Sequence, residues 1–279
     1  MSGAVHPGYA PPPGPSAPRR RWRWLLAVTV AWAVLLGVLT WWSARHDAPT
    51  VREQRTVAEA GPVVDRALGQ LVAAVGDGAW ALTGPQVERG CRLTPMSAGA
   101  TLSRGLDVLV AEGGERALLD RVADRLPADW RAGVRSGSSG PRLRADAGEF
   151  ITVQGRVTSG GRVRLTADTG CRPIGAGYPQ PPAAPTDPTL DAALGALGRA
   201  AQSAPQPVTA PCPGGGTART LAVSAGAAPV ALTGLRPLAA GPPVVDLPEV
   251  YAYRSGPTTV LADGTGAQLR LSASTGCPA

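Results

Sequence analysis

The chain has no lysine and no asparagine, a single phenylalanine, and two histidines, His6 and His46, both near its start. Each absence closes a chemical route. Without lysine there is no Ser-Lys pair and no Schiff base. Without histidine beyond His46, a Ser-His-Asp or Cys-His site in the remaining chain lacks its base. Without asparagine there is no N-glycosylation acceptor. No two cysteines stand two to four residues apart, which excludes the common zinc spacings and a Cys-x-x-Cys redox pair. No phosphate loop or dinucleotide fingerprint occurs. Residues 1–42 contain no acid at all.

What is present begins with an uncharged apolar run, Leu25 to Trp42, preceded by Arg19, Arg20, Arg21 and Arg23. As a helix its eighteen residues span about 27 Å, enough for a bilayer core. Trp22 and Trp24 flank one end and Trp41 and Trp42 the other, where indole rings favour the headgroup level. Bulky tryptophans in place of a small-x-small cleavage site argue for a retained anchor over a cleaved signal. The arginine-rich flank predicts a cytoplasmic N-terminus and an extracytoplasmic C-terminal part.

All 27 basic side chains are arginine and the net charge is +7. Residues 1–42 supply four arginines and no acid (+4); residues 43–279 carry 23 arginines against 20 acids (+3). The basic balance is therefore mostly the membrane flank, and no nucleic-acid partner is expected.

The outer region repeats itself. Asp65-Arg-Ala-Leu-Gly-Gln-Leu71 matches Asp191-Ala-Ala-Leu-Gly-Ala-Leu197 at five of seven positions, and Arg164-Leu-Thr-Ala-Asp-Thr-Gly-Cys171 matches Arg270-Leu-Ser-Ala-Ser-Thr-Gly-Cys277 at six of eight. Both pairs fall in the same order around a first cysteine, Cys91 or Cys212, which reads as an internal duplication. In an oxidising compartment four cysteines allow three pairings. Duplication selects Cys91–Cys171 and Cys212–Cys277, each within its own unit.

Periodicity predicts a helix beginning near Pro62, strands over Val87–Met96 and Leu102–Glu112, an amphipathic helix over Glu115–Leu126, and a hairpin of Phe150–Val157 with Arg162–Ala167. The expected fold class is α+β: one transmembrane helix, then two related small domains, each an antiparallel sheet with helix on one face. The boundaries are a cytoplasmic Pro-rich tail with its arginine flank (1–24), the span (25–42), a stalk (43–61), a first domain (62–171), a Pro-rich linker (172–188) and a shorter second domain (189–279). In the second domain Pro229, Pro237, Pro242 and Pro243 oppose a full second helix. The tail Met1 to Pro18 is expected to be disordered or polyproline-like, either solvated or docking a cytoplasmic partner.

Several residues merit a chemical reading. Asp168-Thr169-Gly170 has the form of an aspartic-protease triplet, but the matching segment is Ser274-Thr275-Gly276, so the second carboxylate is missing and a strand-ending turn is the better reading. Asp120 and Asp124 lie among Arg116, Arg121 and Arg125 on a solvated helix face; Asp146 and Glu149 could be paired in space. Trp80, Trp130, Tyr251 and Tyr253 suit core packing better than a ligand groove. No catalytic, cofactor or metal residues are assigned, and the chain is read as not an enzyme.

The layout and the repeated Thr-Gly-Cys strand resemble single-pass envelope proteins of high-G+C actinobacteria; that resemblance implies no activity. The leading expectation is a noncatalytic membrane-anchored protein binding envelope proteins or cell wall. Alternatives are a small-molecule or lipid-binding module, and a carboxylate-based hydrolase.

Overall fold

A computed structural model describes residues 19–46, 55–179, 182, 184, 187–228 and 231–278. The expected tail over 1–18, positions 47–54 of the stalk and part of the linker lie outside the described residues. The chain divides into two units, Met1–Pro49 and Thr50–Ala279.

The described residues of the first unit form a helix, α1 (Arg19–His46). Its stretch Trp22–Ser43 has a mean hydropathy of 2.0 and is long and apolar enough to cross a membrane. Every side chain described in it is exposed, as an apolar stripe facing lipid would be. Thr29 Oγ1 and Thr40 Oγ1 donate to the carbonyls of Leu25 and Leu36 at 2.9 and 2.8 Å. The two hydroxyls are thereby satisfied within the helix, as hydrocarbon requires.

The second unit opens with α2 (Val57–Val75). The helix starts five residues before Pro62 because Thr56 and Glu59 form a capping box: Glu59 N donates to Thr56 Oγ1 (3.2 Å) and Thr56 N to Glu59 Oε2 (2.7 Å). Pro62 sits inside the helix on an exposed position, where the carbonyl it leaves unbonded can meet water. There follow β1 (Ala79–Thr94), β2 (Ser97–Leu109), α3 (Glu115–Arg125), β3 (Gly133–Gly137), β4 (Gly140–Asp146), β5 (Thr152–Ser159) and β6 (Arg162–Asp168). Then come α4 (Pro188–Ala196), β7 (Gln206–Pro211), β8 (Thr217–Ala227), a 3-10 turn over Leu232–Leu238, β9 (Val245–Leu247), β10 (Val250–Ser255), β11 (Thr258–Asp263) and β12 (Gln268–Thr275).

The fold class is as expected. Two six-stranded antiparallel sheets have the orders β1-β2-β6-β5-β4-β3 and β7-β8-β12-β11-β10-β9. Strand for strand this is one topology used twice. The cysteines pair Cys91–Cys171 and Cys212–Cys277. Where the first half has α3, the described residues of the second have a 3-10 turn, which contains Pro237 and still buries Leu232 and Leu235.

Two strand boundaries differ from expectation. β1 begins at Ala79 rather than Val87, running through Pro85, which falls at a shift of register between Thr83 and Gln86. At a bulge the missing N–H breaks no ladder bond. β2 covers Ser97–Leu109, starting five residues early. The β3–β4 hairpin carries few apolar residues, Val134, Leu143 and Ala145 being its main ones, so its alternation was too weak to read.

The first core packs Leu68, Leu71, Leu118 and Leu119 from the helices on Val153 and Leu165 from the sheet; it also takes in Val208, Ala210 and Ala218 from β7 and β8. The second packs Leu190, Leu194 and Leu235 on Tyr253 and Leu271. A third, smaller cluster joins Ala79 and Leu109 to Val250, Ala252 and Leu261. The outer face of the second sheet is thus covered by the end of β1, and Leu82 N donates to the buried Thr220 Oγ1 at 3.0 Å. The same contacts cover the β1–β2 end of the first sheet's outer face; over β3, β4 and β5 no such cover occurs among the described residues.

The stretch expected as an extended spacer packs where it begins. Arg172 is fully buried, and Tyr178 OH donates to Asp65 Oδ1 at 2.7 Å. Arg104 NH1 reaches the same carboxylate and Tyr178 OH, while Arg104 NH2 donates to Thr209 O at 2.8 Å. One arginine therefore ties β2, α2, the spacer and β7 together.

Candidate functional site

The residues singled out from the sequence do not converge on a catalytic centre. Asp168 Oδ1 accepts from Gly170 N at 2.6 Å, and Thr169, fully buried, accepts at Oγ1 from Leu102 N at 3.0 Å. The triplet shapes the turn that ends β6. Asp120 meets Arg116 one turn away at 3.4 Å on an exposed face. Asp146 Oδ1 accepts from Gly148 N at 3.0 Å, and Glu149 pairs with Arg55. Trp80, Trp130, Tyr251 and Tyr253 are buried in or beside the cores. Among the described residues no group of three or more His, Cys, Asp or Glu could hold a metal ion.

The outer face of the first sheet has a distinctive charge pattern. Strand alternation turns Leu143, Ala145, Val153, Val163 and Leu165 toward the helices. Their neighbours in sequence point the other way. Register pairs Arg135 with Arg142, Arg142 with Arg156, and Arg156 with Arg164. Four arginines thus stand directly opposite one another across β3, β4, β5 and β6, a row of about 14 Å at normal strand spacing. Arg164 is neutralised by Asp107, the next residue in the row, through a fork of two 2.7 Å bonds. Those bonds push the Arg164 guanidinium above its ordinary pKa, against the effect of burial. Arg135, Arg142 and Arg156 are exposed, and no carboxylate pairs with them among the described residues. Like charges directly opposite in a sheet destabilise it by about 0.2–1 kcal/mol per pair.

The second sheet makes clear that the fold does not need this row. With Arg164 matched to Arg270, the equivalent positions read Ser224, Arg270, Asp263, Val250 and Leu247. No two cations are adjacent there. Asp263 instead reaches across to the first sheet, accepting from Arg162 NH1 at 2.5 Å. Burial alone would raise its pKa; the bonds from Arg162 and Thr265 outweigh this and hold the carboxyl below the ordinary aspartate range.

At the β3 end the row opens into a cavity of about 800 Å³ lined by Trp130, Arg131, Arg135, Arg142, Arg144 and Phe150, among others. Arg131, Glu149 and Phe150 are the non-glycine residues with positive φ among those described, at 49°, 51° and 62°. Such conformations cost about 1–3 kcal/mol each and persist only where the surroundings impose them. Here Ala147 N donates to Ile151 O and Ile151 N to Gly148 O, both at 2.9 Å. From beneath, the buried Arg172 donates from NH2 to Glu149 O at 2.7 Å. The loop is fixed at several points, and it leaves Phe150, the single phenylalanine of the chain, 46% exposed at the cavity.

A second cavity, of about 640 Å³, lies between the ends of the two sheets, with Leu109, Val110, Leu247 and Pro248 among its lining residues. Its size suits a small ligand, and its walls mix these apolar residues with Glu112, Arg162, Asp246 and Glu249.

The arginine row lies within residues 43–279, whose 23 arginines and 20 acids nearly balance. Its members, Arg135, Arg142, Arg156 and Arg164, are dispersed along the sequence, and the strand pairing that aligns them is not legible there. Comparison with protein-family models, with curated proteins and with solved structures finds no match.

Proposed function

We propose that this chain is a single-pass membrane protein that holds a noncatalytic binding module outside the cytoplasm, where it engages envelope proteins or the cell wall. The observation that carries the reading is one chain combining an apolar helix of spanning length with a separate compact unit closed by two disulfides. Disulfides persist in oxidising compartments, and the arginines before the span favour a cytoplasmic N-terminus. The test has two steps. A periplasmic-type reporter fused after Ala279 is active, and cross-linking in intact cells followed by mass spectrometry recovers the same envelope partners repeatedly. A reporter active only in the cytosol, or no reproducible partner, removes the reading.

The cavity between the two sheets favours a second reading, a small-molecule or lipid-binding module. It predicts uptake of an apolar fluorescent probe that Leu247→Asp weakens. Equal uptake by the variant would dismiss it.

A further inference from the structure

We propose that the outer face of the first sheet binds a linear polyanion, a chain of repeating phosphate groups, laid across β3 to β5 along Arg135, Arg142 and Arg156. This rests on the reading of the outer unit as a binding module and gives that module a ligand class.

Position, not residue type, carries the argument. Arginine is the chain's sole lysine-type cation, so its choice over lysine is uninformative. Its stacking in one row is informative. Three exposed arginines face one another on neighbouring strands, an arrangement that lowers stability and that the equivalent row of the second sheet avoids. A bound anion converts that repulsion into attraction, and guanidinium forks match phosphate oxygens. Length decides against a single small anion, because the three exposed arginines extend over about 10 Å and the patch continues into the cavity at Arg144 and Arg131. Shape decides against a bilayer. The patch opens at β3 into the cavity of about 800 Å³; a chain enters such a hollow and a flat headgroup layer does not. Unpaired nucleic acid would ask for several stacking rings, and Phe150 is the one exposed aromatic lining this cavity.

The experiment uses the full-length protein in nanodiscs of zwitterionic lipid and labelled linear inorganic polyphosphate, followed by fluorescence anisotropy at several salt concentrations. Polyphosphate binds, and orthophosphate competes only weakly. The double variant Arg142→Gln/Arg156→Gln loses about tenfold in affinity and flattens the salt dependence by roughly two contacts. Arg270→Gln, at the matching position of the second sheet, binds like the wild type. The double variant melts no lower than the wild type, since it relieves like-charge contacts; should it fail to fold, Arg135→Gln on the edge strand carries the same comparison. The proposal is overturned if polyphosphate does not bind, if the double variant binds undiminished, or if Arg270→Gln loses as much. Tighter binding to phosphatidylglycerol vesicles, or to a single-stranded oligonucleotide in a Phe150-dependent way, overturns it in favour of a membrane face or a nucleic-acid site. A failed titration beside an externally active reporter leaves the binding-module reading without this ligand; a cytosolic reporter removes both.

Discussion

Asp65 and Asp191 occupy the same place in the repeated helical sequence but do different work. Asp65 is paired with Arg104, whose side chain is only 5% exposed. Asp191 is exposed in the first turn of α4, where a carboxylate gains at most about 1 kcal/mol from the helix dipole. Asp65→Asn leaves Arg104 buried without its counter-charge and should cost about 3–5 kcal/mol, against less than about 1 kcal/mol for Asp191→Asn; thermal or urea melts of the two variants decide it. The position matching Arg104 across the strands is Leu221, so the sheet itself does not require a charge there. No sequence pattern distinguishes Arg104 from the solvated arginines around it, because its partners come from α2, the spacer and β7. The disulfides were legible, since their pairing followed from repeat order alone. Asp263 supplies a pH dependence. Its carboxyl is held below the ordinary aspartate range in the folded state, so its contribution is present above the unfolded pKa and is lost as pH falls through the lowered one. The melting-temperature difference between wild type and Asp263→Asn should accordingly be full near neutrality and vanish in acid.

Glycines of the two matched helices separate in the same way. A Cβ on Gly69 would lie 1.7 Å from the carbonyl oxygen of Pro211, whereas one on Gly195 would meet nothing within 4 Å. Gly69 lets α2 approach β7 so closely that backbone meets backbone. Gly69→Ala should therefore destabilise the fold by several kcal/mol or prevent folding, while Gly195→Ala should be neutral or stabilising by up to about 1 kcal/mol. Differential scanning fluorimetry on the pair is sufficient. The sequence displayed both glycines identically; only the packing of the second sheet against the first distinguishes them. Helix α3 and the β5–β6 hairpin were readable because their apolar spacing is regular. Helix α2 starts at Val57 and not near Pro62 because Thr56 and Glu59 cap it, and the β3–β4 hairpin, with more polar residues than apolar ones, has too little alternation to be legible in the sequence.

For the whole unit over residues 50–279, α2 contributes to a core that includes strands of both sheets, and Arg104 and Arg162 bridge the halves. The halves should therefore unfold together, as one calorimetric transition rather than two. Replacing Cys91 and Cys171 by serine opens a loop of 80 residues, and should lower stability by up to about 4 kcal/mol on the chain-entropy account while leaving a single transition at lower temperature. Two separated transitions in either protein would mean that the shared core contributes little to cooperativity.

The covering of the second sheet's outer face by β1 also governs how the molecule can change. Residues on that face are locked by their neighbours, and substitution there threatens folding. The corresponding positions of the first sheet carry no such duty, so mutations can accumulate across β3 to β5 at little structural risk. One half serves as a frame, and the other is left at liberty to vary.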